Sequence, residues 1–122
     1  MEHWNLNEIE TPEGSRSPVV VHSREGERRV VLLGLEAGQS LDEHQVKESA
    51  LVLVLDGEVR VEAADESVDG RPGTLVRFGP DERHSVTADA DARLLLLLAP
   101  WPGDGHYRGD RGVSASSEAS SP

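Results

Sequence analysis

Two histidines stand at corresponding places in two glycine-led stretches of the sequence. His44 follows Gly38 after five intervening residues, and His84 ends a stretch that begins at Gly73. An imidazole nitrogen can bind a divalent transition metal, or it can hydrogen-bond to neighbouring groups or to a small molecule. The pair therefore indicates either part of a metal centre or two histidines that line an interior. Cysteine is absent, so neither site has a thiolate available.

The elements that must position these histidines are short strands. Residues 50–55 are six consecutive apolar residues, which in an extended strand point alternately to the two faces, so both faces must be covered. Asp56-Gly57 is a typical hairpin sequence, and Val59 and Val61, which alternate with polar residues after it, are predicted to point inward. The predicted strands are residues 19–21, 29–35, 41–46, 50–55, 58–62, 74–78, 84–87 and 94–98, and residues 63–72 are predicted to be a polar connection.

The spacing of these strands defines the expected architecture. About eight or nine short strands at intervals of roughly ten residues, without a convincing amphipathic helix, predict one all-β barrel or sandwich. We expect an N-terminal arm at 1–17, the barrel at 18–107 and a disordered tail at 108–122, because the tail has too few apolar residues to order itself. Where a strand is apolar on both faces, one face fills the barrel and the other should meet a second sheet layer or a second subunit. The expected assembly is a homodimer.

The two glycine-to-histidine stretches resemble the motifs of the cupin family, small β-barrels whose motifs bring metal ligands onto facing strands. In the first stretch, Gly38, His44 and Gly57 stand in register with the family motif, while Val46 and Ala50 occupy its second histidine and glutamate positions. In the second stretch, Gly73 and His84 match. The residues at the usual proline, glycine and asparagine positions of that motif are Gly79, Asp81 and Ala88. The resemblance spans about residues 19–99 and implies a double-stranded β-helix, or jelly-roll barrel.

The resemblance also implies where a site would lie. His44 and His84 would be the metal ligands, for zinc, nickel, iron or manganese, but valine and alanine cannot complete the set. The alternative is that both histidines line the barrel without a metal. With Val46 and Ala50 they would then form a ligand-binding interior, to which Arg77 contributes an anion-binding group if it points inward. The outward direction is favoured for Arg77, because charged side chains are mostly exposed.

Other polar and aromatic residues are less favoured as members of the site. Glu48 is the nearest additional carboxylate, but it lies in a predicted turn. His22 and His106 are predicted to lie at the surface and His3 in the exposed arm, and Trp101 is predicted to pack against the end of the barrel.

Two functions follow from the site. The first is a small-molecule-binding cupin without a full metal site, whose interior accepts an apolar or weakly polar ligand. The second is a metal-dependent enzyme of the dioxygenase, isomerase or decarboxylase class that uses His44 and His84 as ligands. The sequence assigns no catalytic residue and leaves open whether the protein is an enzyme.

Charge and hydrophobicity exclude several partners. The formal net charge of −11 repels phosphate backbones and anionic lipid, so we expect neither nucleic acid nor a membrane as partner. The longest apolar run, residues 94–99, is much shorter than the roughly 20 residues of a membrane helix. The first ten residues lack the pattern of a signal peptide, and a cytoplasmic location is expected.

Overall fold

The structure, a computed structural model, describes residues 1–11, 18–44 and 46–103, and of residues 42–44 it describes only the backbone. Nine strands lie within these ranges. They are β1 (Val19–Arg24), β2 (Arg28–Leu35), β3 (Ser40–His44), β4 (Ser49–Asp56), β5 (Val59–Ala63), β6 (Glu66–Gly70), β7 (Leu75–Phe78), β8 (His84–Ala88) and β9 (Ala92–Ala99). The prediction of an all-β jelly-roll barrel is therefore confirmed.

The strands form two antiparallel sheets. The first has five strands in the order β1-β2-β9-β4-β7, and the second has four in the order β3-β8-β5-β6. Strand β9 lies between β2 and β4 and pairs with both along most of its length. The last of the described strands is thus at the centre of the larger sheet, where both neighbours satisfy the backbone groups of this strongly apolar segment.

Side chains alternate between the two faces of the central strands. On β4, Val52 and Val54 are buried in the core, as are Leu94 and Leu96 on β9, and the residues between them are only half-buried. The inward direction predicted for Val59 and Val61 on β5 is also confirmed. Both faces of the five-stranded sheet are therefore apolar, and the inner face builds the core shared with the second sheet.

The N-terminal segment lies on the outer face of the five-stranded sheet. Leu6–Glu8 form a short 3-10 helix capped by the side chain of Asn5. The guanidinium of Arg93 on β9 donates hydrogen bonds to the carbonyl oxygens of Leu6 and Ile9, at 2.9 and 2.6 Å. The residue opposite Arg93 in the sheet is Gly34, where an added Cβ would lie 2.7 Å from Oγ1 of Thr11. The arm thus approaches this face too closely for a side chain at position 34.

The prediction that residues 63–72 form a connection without a strand is wrong, because β6 lies within them. This strand pairs only with β5 at the edge of its sheet, and residues 66–69 are exposed. An edge strand that buries neither face has no apolar alternation for a sequence pattern to detect.

Two further predictions concern residues that the structure does not describe. The tail at 108–122 and the barrel boundary at 107 lie outside them. Among the residues that are described, no helix has the length and apolar character of a membrane span.

Gly57 offers a test of this packing. Its φ is +83°, and an added Cβ would overlap the carbonyl oxygen of Asp91 and lie 2.6 Å from Cα of Ala92. Gly38 has a similar φ of +89° but has open space where its Cβ would be. We expect Gly38→Ala to lower the free energy of unfolding by about 1 kcal/mol, from backbone strain alone. Gly57→Ala should lower it by about 4 kcal/mol or more.

Urea denaturation of the two variants measures both effects against the wild type. Equal destabilisation by the two substitutions would contradict the tight approach between the β4–β5 hairpin and the start of β9.

Candidate functional site

His84 is the best-defined polar group in the barrel. It begins β8, and its side chain is buried, with 5% of the residue surface exposed. The imidazole stacks on Phe78 with ring centroids 3.8 Å apart and planes 8° from parallel. Its Nδ1 lies 3.0 Å from the carbonyl oxygen of Glu82. Since a carbonyl oxygen only accepts hydrogen bonds, Nδ1 donates, and the lone pair of the neutral ring is on Nε2.

The turn before β8 explains this orientation. The Gly79 backbone N–H donates to the Glu82 carboxylate at 2.9 Å, and the Glu82 N–H donates to the Gly79 carbonyl at 3.2 Å. Asp81 adopts a positive φ of 63°, and its N–H donates to the carbonyl of Val46 at 2.7 Å. The Asp81 carboxylate also forms a salt bridge with Lys47, at 2.9 Å. These contacts fix the turn against residues 46–47, and with it the carbonyl that orients His84.

His44 and His84 occupy neighbouring positions. They are directly paired residues of β3 and β8, after an irregularity in register between Leu41 and His44. The structure does not describe the side chain of His44, so this pairing is a statement about the backbone alone. It places the two predicted histidine positions opposite each other in the four-stranded sheet.

Val46 and Ala50 lie in the hydrophobic core. Both are buried, and Ala50 pairs with Phe78 on one side and with Leu98 on the other. Val46 follows β3 rather than lying within it, so the strand predicted at 41–46 is shorter than expected. Two of the four positions that hold metal ligands in the motif thus carry apolar side chains in an apolar environment.

The described side chains do not supply a complete metal site. Among them, no group of three or more histidine, aspartate or glutamate side chains is placed to hold a metal ion. The side chain of His44 is not among those described, and at positions 46 and 50 neither an isopropyl nor a methyl group can coordinate a cation. The described residues therefore do not fit the full ligand set that the cupin motif implies.

Arg77 does not line the barrel. It is exposed and pairs with Leu51, whereas its neighbour Phe78 is buried and its neighbour Val76 packs against the core. Alternation along β7 therefore puts the guanidinium on the outer face of the five-stranded sheet. This exposed position agrees with the outward direction favoured for Arg77, and it leaves the anion-binding alternative without support from the strand geometry.

Glu48 is more closely integrated than its predicted turn position indicated. Only 1% of the residue is exposed, and Oε2 accepts a hydrogen bond from the Gly103 backbone N–H at 2.7 Å. An added Cβ at Gly103 would lie 2.6 Å from the carbonyl oxygen of Lys47, so this crossing requires glycine. The sequence contains one signal for the contact, the Pro-Trp-Pro-Gly segment directly after β9. That segment can turn back over the barrel end only at a small residue.

Trp101 lies in the same segment after β9 as Gly103. Its ring is buried in the core cluster, and the guanidinium carbon of Arg29 lies 4.1 Å from the ring centroid. Its carbonyl oxygen accepts a hydrogen bond from the Gly26 N–H at 2.6 Å. The prediction that Trp101 packs against the end of the barrel is thus consistent with these contacts, while His106 lies outside the described residues.

The family of the chain follows from comparison with family models. The Cupin_2 model, described as a cupin domain, matches residues 31–100. The chain belongs to the cupin family. No curated protein matches it.

Solved structures of other proteins share this fold. The structure of TT1209 from Thermus thermophilus is 25% identical, with 82% of this chain and 98% of that chain covered and a TM-score of 0.71. An RmlC-like cupin from Desulfovibrio desulfuricans is 22% identical, with 82% and 96% covered and a TM-score of 0.69. KdgF from Halomonas sp. is 17% identical, with 81% and 94% covered and a TM-score of 0.69. These likenesses establish the barrel and carry no activity over to this cupin.

The tautomer of His84 is a direct test of the site geometry. We expect neutral His84 to carry its proton on Nδ1, because the Glu82 carbonyl requires a donor there. Long-range ¹H–¹⁵N correlation spectra of the labelled protein distinguish the two ring nitrogens. His3, which is exposed in the arm, serves as the control without such a constraint. A proton found on Nε2 of His84 would contradict the hydrogen bond to Glu82.

Proposed function

We propose that this cupin binds a small apolar or weakly polar molecule at the end of the barrel around His84. The observation that carries the proposal is the single orientation of a buried imidazole, set by Phe78 and by the Glu82 carbonyl. Ala50 pairs with Phe78, and the carbonyl of Val46 accepts a hydrogen bond from Asp81 in the turn before β8, so both residues lie near His84 and are buried in the core. An apolar lining with a few fixed polar groups is the usual composition of a small-molecule site.

The geometry also specifies the polar contact. Because Nδ1 donates to a backbone carbonyl, the acceptor nitrogen of the neutral ring is Nε2. The complementary ligand group is a donor such as a hydroxyl, an amide N–H or a protonated acid. The stacking on Phe78 restricts rotation of the ring before binding, so less entropy is lost when the contact forms.

A metal-dependent cupin enzyme is the second candidate. The observation that favours it is the direct pairing of positions 44 and 84 across β3 and β8. A histidine that ligates a metal through one nitrogen commonly donates its other N–H to a carbonyl, as His84 does. Against it stand the apolar side chains at positions 46 and 50, which leave two histidines where the motif provides four ligands.

The variant His84→Phe separates the two candidates when combined with metal analysis. It keeps an aromatic ring beside Phe78 and removes the acceptor nitrogen. Fluorine-detected NMR of a fragment library should identify binders whose Kd rises about tenfold in this variant, the effect of losing roughly one hydrogen bond. His3→Phe is the matched control and should leave Kd unchanged.

Metal content of the same untagged protein, purified without chelator, completes the experiment. Substoichiometric metal in both the wild type and a His44→Ala, His84→Ala variant is the expected result. Near-stoichiometric metal in the wild type and none in the double variant would favour the enzyme. Fragment binding that is unaffected by His84→Phe would overturn the proposed ligand site.

We also propose that a second copy of the chain covers part of the five-stranded sheet. The leucine face, defined as Leu51, Leu53, Leu55 and Leu75, lies on the outer side of β4 and β7. The leucines of β4 are half-buried, and Leu75 is 60% exposed. A contiguous apolar surface at the edge of a sheet is an association site. A homodimer through this face would remove it from water.

Light scattering coupled to size-exclusion chromatography tests the dimer. The wild type should elute with twice the chain mass. The double substitution Leu53→Lys, Leu75→Lys, which places charges at two directly paired positions, should give a monomer. Val68→Lys is the control, because Val68 is also apolar and 42% exposed but lies in the other sheet. A variant that remains dimeric would rule out this face as the interface.

A further inference from the structure

A separate cleft lies outside the barrel, between the N-terminal arm and the outer face of β1, β2 and β9. We call it the arm cleft, and its volume is about 420 Å³. This size is within the range of roughly 300–1,000 Å³ typical of small-molecule sites. Its lining residues are Glu2, Trp4, Leu6, Val21, His22, Arg28, Val30 and Leu95.

His22 supplies the most specific feature of the arm cleft. Its Nε2 is buried and has no hydrogen-bond partner among the residues that the structure describes. This differs from the surface position predicted for His22, since the residue is half-buried against the arm. A buried polar nitrogen without a partner is unfavourable, so a ligand that hydrogen-bonds to it gains more than it would at an exposed histidine.

A bulge in β1 accounts for the direction of His22. The pairing of β1 with β2 shifts register between Val20 and His22. In a regular strand, consecutive residues point to opposite faces, yet Val21 and His22 both line the arm cleft. Bulges redirect side chains in this way and are frequent beside binding sites. The bulge therefore places the His22 side chain in the wall of a mainly apolar cleft.

The arm wall of the cleft is fixed in place. The two hydrogen bonds from Arg93 hold the backbone at Leu6 and Ile9 against the sheet. The Trp4 ring lies 5.5 Å from the His22 ring, centroid to centroid, with the planes tilted by 48°. Trp4 therefore contributes a flat aromatic surface next to the buried nitrogen.

The charges at the cleft favour a neutral ligand. Glu2 and Arg28 have opposite signs, and Arg28 already forms a salt bridge with Glu27. The lining thus has no net charge to select an ion, while most of its other side chains are apolar. We propose that the arm cleft binds a neutral phenol-type molecule, with its aromatic ring beside Trp4 and its hydroxyl donating a hydrogen bond to Nε2 of His22, whose ring proton is then on Nδ1. This site is independent of the ligand site around His84.

An NMR titration with 4-methylphenol tests the proposal. Trp4 and Trp101 are the two tryptophans of the chain, so their indole N–H signals report the arm cleft and the barrel end separately. We expect 4-methylphenol to shift the signals of Trp4 and His22 and to leave that of Trp101 in place. The matched compound 4-methylanisole, which cannot donate a hydrogen bond, should bind at least fivefold more weakly.

Variants distinguish the hydrogen bond from general apolar binding. His22→Phe should weaken 4-methylphenol to the level of 4-methylanisole, while His3→Phe, outside the lining, should have no effect. Trp4→Leu should also weaken binding at least fivefold. Because Trp4 lies in the arm and not in a strand, this variant still tests the site if His22→Phe in β1 fails to fold. Equal affinity of the wild type and His22→Phe would overturn the proposal, as would tighter binding of benzoate than of 4-methylphenol. Trp4 shifts that depend on protein concentration without any phenol would overturn it in favour of a second chain in the cleft.

Discussion

The pairing of β4 with β9 imposes the main constraint on this molecule. Both strands are apolar on both faces, and together they form the centre of the five-stranded sheet. Their inner faces create the core, and their outer faces must be covered by something else. On the β2–β9 side, the arm provides that cover through the hydrogen bonds of Arg93. On the β4–β7 side, the leucine face remains at the surface. The arm cleft and the proposed dimer interface are thus two consequences of one requirement.

The sequence predicted the barrel because alternation and turn residues act locally. Val59 and Val61, for example, point inward for reasons contained in their own strand. Features that depend on distant partners could not be predicted in this way. Glu48 looks like a turn residue until Gly103 crosses it from 55 positions away. His22 turns toward the arm because of a bulge, which no periodic pattern reveals.

The candidate site shows that a family motif specifies positions and not chemistry. The resemblance to the cupin motifs assigned His84, Val46 and Ala50 to ligand positions, and the last two lie together in the core. What was not predictable is the support of His84 by the turn before β8, since that turn departs from the usual motif at Gly79 and Asp81. The turn nevertheless places the Glu82 carbonyl where it accepts a hydrogen bond from Nδ1 of His84. The same barrel therefore fixes the orientation of one imidazole, while Val46 and Ala50 place apolar side chains at two of the ligand positions of the motif.

The central place of β9 also determines the order in which the chain can fold. Its partners are β2 and β4, so that Arg29 pairs with Leu98 and Ser49 with Ala99. Neither contact can form until the last strand has left the ribosome. Until then, the apolar residues of β2 and β4 have no sheet neighbour at the place where β9 will insert. Because contacts between residues so distant in sequence form slowly, the apolar faces and edges of β2 and β4 stay uncovered for longer during folding than those of a locally paired hairpin.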